Sequence, residues 1–244
     1  MIPFLTAGCG KEDKTGSVEI AFMAQYGNSP LVLLSDYDYA GNQKIRFSHL
    51  DYYISDLELV MENGDVAALS EIDLIDLDFS SAQQSVAGNS RLYLDIPAGK
   101  YNKIRFGVGV KPSLNTTQPS DHLSSNPLSE SSHYWEGWTS YIFSKTEGNL
   151  DQDGDGIYDL GFTIHSGSSD VVDLYRSLEA QPSFEVVDGE MRSIQLILDY
   201  RKLLAVDEEG LDIASTPHTN DPNEMELITA MANNYAEAFL ISIP

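Results

Sequence analysis

The chain has 244 residues, 42% of them hydrophobic, which is enough apolar surface for one large core without a second domain. Its 38 acidic residues against 14 basic ones give a net charge of -24, a field that repels phosphate backbones and speaks against nucleic acid as a partner. With one cysteine, Cys9, no intrachain disulfide can form, so packing must hold the fold.

Near the start, Ile2-Pro3-Phe4-Leu5 is apolar, Thr6-Ala7-Gly8 is small, and Gly10-Lys11-Glu12-Asp13-Lys14 is polar. This layout resembles the tail of a bacterial lipoprotein signal peptide. Cleavage before Cys9 would make it an acylated first residue, adding the membrane affinity of buried methylenes. Residues 1–16 are read as signal remnant and tether, and residues 17–244 as one domain. No later stretch approaches 18 apolar residues. The expected location is therefore the outer membrane of a Gram-negative bacterium, facing the periplasm or the cell surface, with membrane contact by the lipid anchor only.

Beyond the tether, strand signals dominate the chain. Val18, Ile20 and Phe22 alternate; Ile45 and Phe47 open a run through Val60; Ile104, Phe106, Val108 and Val110 share one face, and Ile194, Leu196 and Leu198 another. Asn63-Gly64 and Asp188-Gly189 suit the positive φ of tight hairpins, and Pro97-Ala98-Gly99 punctuates the approach to Tyr101. The expected fold is all-β, an antiparallel β-sandwich with one C-terminal helix and long loops. Pro112 to Ser132 reads as such a loop. The helix is placed where Asp221 can cap, Pro222 suits the first turn, and Met225, Ile228, Ala232 and Tyr235 recur at helical spacing. Met225 and Met231 are read as core filler rather than thioether ligands.

The sharpest local motif is Asp151-Gln152-Asp153-Gly154-Asp155-Gly156-Ile157-Tyr158-Asp159. It sets carboxylates at loop positions one, three, five and nine, with glycine at six and the Ile157 carbonyl as a further oxygen, the pattern of a calcium loop. Phe162 stands where the closing bidentate Glu would be, so a calcium ion held by Asp151, Asp153, Asp155, Ile157 and Asp159 is expected to bind weakly.

The histidines are His49, His122, His133, His165 and His218, and none forms a close catalytic zinc pattern. Strand alternation sends His165 to the face opposite Phe162 and Ile164, and gives His49 the parity of Ile45 and Phe47. No Ser-His-Asp order or Cys nucleophile singles out catalytic groups, so a binding protein rather than an enzyme is expected.

Four segments, in order, resemble the MbnP-like family of periplasmic copper-binding proteins. They are Phe47-Ser48-His49-Leu50-Asp51-Tyr52-Tyr53-Ile54-Ser55-Asp56-Leu57-Glu58-Leu59; Pro97 to Tyr101 with Phe106-Gly107-Val108-Gly109-Val110; Asn126-Pro127-Leu128 with Tyr134-Trp135, Tyr141-Ile142-Phe143 and Glu147-Gly148; and Phe162-Thr163-Ile164-His165-Ser166-Gly167. The resemblance implies a sandwich in which imidazoles bind copper. It makes His165 the first ligand candidate, with His49 and His133 beside it. It also implies Trp135 as a residue open to oxidation by a di-haem oxidase-type partner protein. The expected function is a lipid-anchored copper-binding or copper-trafficking protein. The competing expectation is a surface adhesion or nutrient-binding sandwich, stacking glycan or peptide on Trp135, Trp138 and Tyr141 with calcium as a structural clip.

Overall fold

Wherever apolar residues alternate, the chain extends and buries the apolar set. The computed structural model describes residues 14–168, 173–206, 209–219 and 225–244. The strands that build it are β1 (Thr15–Tyr26), β2 (Lys44–Met61), β3 (Val66–Asp76), β4 (Asn89–Pro97), β5 (Gly99–Val108), β6 (Ser140–Asp151), β7 (Leu160–Gly167), β8 (Arg176–Ala180), β9 (Met191–Asp199) and β10 (Phe239–Ser242). The smaller sheet runs β10-β9-β1-β4 and the larger β7-β6-β2-β5-β8, with β3 also paired to β2. Their inner faces meet in one core, where Val18, Ile20, Phe22, Ile45, Phe47, Ile104, Ile194 and Leu196 are all buried. The expected all-β sandwich is the observed one.

Among these ten strands pairing is antiparallel except between β1 and β9, which run parallel from Ser17 opposite Met191 to Gln25 opposite Asp199. Asn63-Gly64 closes the β2–β3 hairpin, with Gly64 at φ 95°. Gly189 also has positive φ, at 73°, but its turn is not a hairpin. The short strand before it, Phe184–Val186, pairs with β5 in the larger sheet, while β9 belongs to the smaller. Pro97-Ala98-Gly99 likewise carries the chain from β4 in one sheet to β5 in the other. Such corners, where strands change sheets, close a sandwich at its ends.

The helix expected near the C-terminus spans Met225–Ala238 and buries Leu227, Ile228, Met231, Ala232 and Tyr235; Asp221 and Pro222 lie outside the described residues. Met231 is fully buried and Met225 packs against the core, as core filler does. Tyr235 donates to Ser144 Oγ on the inner face of β6 at 3.1 Å, and β10 then returns along β9. Among the described residues no helix is long and apolar enough to cross a membrane.

One irregularity in β2 decides which side chains reach the outer face of the larger sheet. Phe47 pairs with Gly148 and His49 with Glu147, so Ser48 is an extra residue bulged out of the β2–β6 ladder. A bulge of one residue reverses inside and outside beyond it. Ile45 and Phe47 face the core before it, and Leu50 and Tyr52 after it. His49 therefore does not share a face with Ile45 and Phe47, as uninterrupted alternation predicts, but points to the outer face. Gly148 makes room for this, since a Cβ there would run into the Arg46 carbonyl oxygen.

Candidate metal centre

The outer face of β2, β6 and β7 is polar where the inner face is apolar. Register places Asp51, Lys145 and His165 in one cross-strand row and His49, Glu147 and Thr163 in the next. Residues paired across strands point to the same side, so six polar side chains share this patch. The segment from Pro112 to Ser132, folded into single helical turns, lies over its neighbour: Tyr53 donates to the Pro127 carbonyl at 3.0 Å and Tyr141 to the Leu128 carbonyl at 3.1 Å. The last of those turns, Ser131–His133, delivers His133 to the patch, buried, with its ring edge-on to Tyr53.

Asp51 organises the histidines. Its Oδ2 accepts from Nε2 of His49 at 2.8 Å and from Nε2 of His133 at 2.7 Å, so those two nitrogens are held apart by no more than the sum of these distances. The other nitrogen of His49 donates to Asp78 at 2.7 Å, and Asp78 is itself fixed by accepting the Leu50 amide at 2.7 Å. Asp51 and Asp78 together raise the His49 pKa to about 10. Burial of Asp51 favours its neutral form, but the two histidines outweigh it and hold the carboxyl far below its ordinary value. The second oxygen of this carboxylate, Oδ1, is buried and has no hydrogen-bond partner among the described residues. A buried charged oxygen left unpaired is costly, and it lies beside two imidazoles.

His165 stands two strands away, about 10 Å from β2 by strand spacing. It donates through Nε2 to Glu147 at 2.7 Å, and burial lowers its pKa although Glu147 opposes the shift. Its backbone is clasped by Thr219, whose hydroxyl accepts its N–H and donates to its carbonyl. The Trp135 ring lies over it, centroids 5.9 Å apart, and Trp138 packs on Trp135 at 4.5 Å. Glycine is needed at 167 for a different reason, because a Cβ there would run into the Tyr141 carbonyl oxygen at 2.8 Å. In the Phe-x-x-His-x-Gly segment, then, Phe162 fills the core, His165 faces out and Gly167 lets the strand end close against the Tyr141 carbonyl.

Of the predicted ligands, His49 and His133 meet on one oxygen, while His165 shares their face without touching them. His122 is elsewhere, bonded to Thr117 Oγ1 at 2.7 Å. Trp135 and Trp138 are half-buried, but Tyr141 is fully buried and cannot serve a surface stacking platform, because the covering loop lies over it. Local sequence patterns do not single out Asp51, Asp78, Glu147 and Lys145 as a set; the polar alternation His49-x-Asp51 inside an apolar strand is the signal that marks the first of them. His218 also joins the patch edge, bridging to Thr163, whose Oγ1 lies 2.9 Å from its Nδ1.

The acidic loop is a separate feature. Asp151, Asp153 and Asp155 each bring an oxygen within 4.8 Å of the others; Asp159 is not in that group, and Ile157 is exposed with its amide donating to Asp155 at 2.7 Å. Both oxygens of Asp151 accept loop amides, from Gly154 at 2.8 Å and Gly156 at 2.9 Å.

The family described as MbnP matches residues 15–225. Among solved structures, MbnP from Methylosinus trichosporium superposes with a TM-score of 0.59 at 13% identity, covering 94% of this chain and 99% of that one, a likeness of fold. No curated protein matches the chain.

Proposed function

This chain belongs to the MbnP family, and on that premise we propose that it binds copper as cargo, through His49, His133 and His165 beside Trp135. The observation that supports this most directly is Asp51: a buried carboxylate that gathers two imidazole Nε2 atoms on one oxygen and leaves the other, among the described residues, without a partner. Each N–H now donated to Asp51 or Glu147 marks a direction in which a neutral imidazole would offer its lone pair to a cation. Imidazole nitrogen suits copper, and Asp78 behind His49 is the kind of outer partner that fixes ring orientation and raises ligand basicity. Loading exchanges protons for the ion, with Asp51 and Glu147 keeping charge balance.

In this reading the protein captures and hands on its ion without a catalytic step. Cys9, outside the described residues, carries the lipid that tethers it to the outer membrane of a Gram-negative cell. Trp135, over the His165 ring, is the residue open to oxidation by a di-haem oxidase-type partner. A glycan-stacking function retains only the Trp135–Trp138 pair.

Copper titration of the purified chain, alongside His165→Ala and His49→Ala, tests the reading. Wild type is expected to retain copper through dialysis, and each variant to lose affinity by more than about 100-fold, beyond the loss typical of an outer-shell partner. Copper absent from wild type after equilibration, or His165→Ala indistinguishable from it, would overturn the assignment. Intact mass of protein isolated from its native host reports whether Trp135 has lost a ring carbon and gained oxygen.

A further inference from the structure

The histidine face also holds a buried cation of the protein's own. Lys145 lies in the middle strand of the three, opposite Asp51 on one side and His165 on the other, and it is only 8% exposed. Its Nζ donates to the Ser132 carbonyl at 3.0 Å, next to His133. Neither neighbouring carboxylate hydrogen-bonds it among the described residues: Asp51 holds two histidines through Oδ2, and Glu147 holds His165. A buried ammonium whose one hydrogen bond among the described residues goes to a neutral carbonyl is costly to keep. From this placement we infer that Lys145 sets the charge of the ion the histidine face accepts, favouring a singly charged cation over a doubly charged one. The inference rests on the histidine reading of the metal site and deepens it.

The discrimination is Coulombic. Repulsion from the ammonium grows in proportion to the charge of the incoming ion, so a doubly charged ion is opposed twice as strongly. At a separation on the order of 7 Å, between one and two strand spacings, and an effective dielectric near 20, one unit of charge corresponds to roughly 50-fold in affinity. Removing the ammonium relieves a divalent ion more than a monovalent one, whatever other charges surround the site.

The test measures Ag⁺, a redox-stable singly charged ion, and Zn²⁺ on the full chain and on Lys145→Gln, Lys145→Met and Lys145→Arg, with thermal melts of each metal-free form. Zinc affinity relative to silver is expected to rise about 10- to 50-fold in the Gln and Met variants and to stay near wild type in Arg. Gln keeps a donor for Ser132 without the charge, so a role limited to holding the Ser131–His133 turn would leave its ratio unchanged. An unchanged ratio in Gln, in a protein that still binds both ions, overturns the inference and leaves the histidine reading standing. If wild type binds neither ion and His165→Ala makes no difference, both fall together.

Discussion

Two buried aspartates on adjoining strands answer the same problem in opposite ways. Asp151, at the end of β6, has both oxygens capped by amides of its own loop. Asp51, in the middle of β2, draws both partners of its Oδ2 from side chains and, among the described residues, leaves Oδ1 with none. The first carboxylate is satisfied by the segment that carries it, so it shapes a turn. The second is satisfied only by side chains set in place by tertiary structure, and only in part, which leaves a buried acceptor facing the histidines. The acidic pattern of the loop thus speaks first for a turn, because a loop rich in aspartate and glycine supplies its own amide donors.

The largest expected effect comes from erasing the bulge that makes the second case possible. Deleting Ser48 restores unbroken alternation in β2, so that either His49 is driven inward or Leu50 and Tyr52 outward. The expected loss exceeds about 4 kcal/mol, the range of core disruptions, and shows as a collapsed denaturant midpoint. An unchanged midpoint would mean that the bulge does not govern which face His49 takes.

Next is Asp51→Asn, which strips the charge from a buried pair and should destabilise the protein by about 3 kcal/mol near neutral pH. Its pH dependence separates it from a simple packing defect. The depressed pKa of Asp51 means its contribution is present above the ordinary carboxylate range and is lost as pH falls through the lowered value. The raised pKa of His49 means its contribution is complete below 6.5 and is lost as pH rises through about 10. Stability of wild type should fall on both flanks more steeply than that of Asp51→Asn. Parallel profiles would show that the pair carries no such linkage.

Asp151→Asn should cost less, about 1–2 kcal/mol for one charged acceptor of backbone amides, while leaving copper affinity within error. A parallel loss of copper binding would join the two sites that the geometry keeps separate. Smallest is the response to calcium. With three loop oxygens near one another, two of them on exposed residues, a dissociation constant of about 10⁻³ M at about 10 mM calcium yields roughly 1.4 kcal/mol, a rise in Tm of a few degrees. Asp155→Asn should remove it, and a rise that survives that change would place the ion elsewhere.

What the sequence determined by itself is what depends on neighbours in the chain. Alternating Val18, Ile20 and Phe22, helical spacing through Met225 to Tyr235, and the Asn63-Gly64 turn each state a local preference that the fold keeps, so the all-β sandwich with its late helix was legible. So was the outward turn of His165 after Phe162 and Ile164. The bulge at Ser48 was not, because one extra residue in a strand leaves no mark on composition and shows only against a partner strand, here Gly148 opposite Phe47. The meeting of His49 with His133 on Asp51 likewise depends on a loop folding back across 82 positions, and the change of sheet at Asp188-Gly189 on which edge lay open to receive Phe184–Val186. Those are matters of long-range pairing, where many registers satisfy the same local pattern and only the packed core selects one.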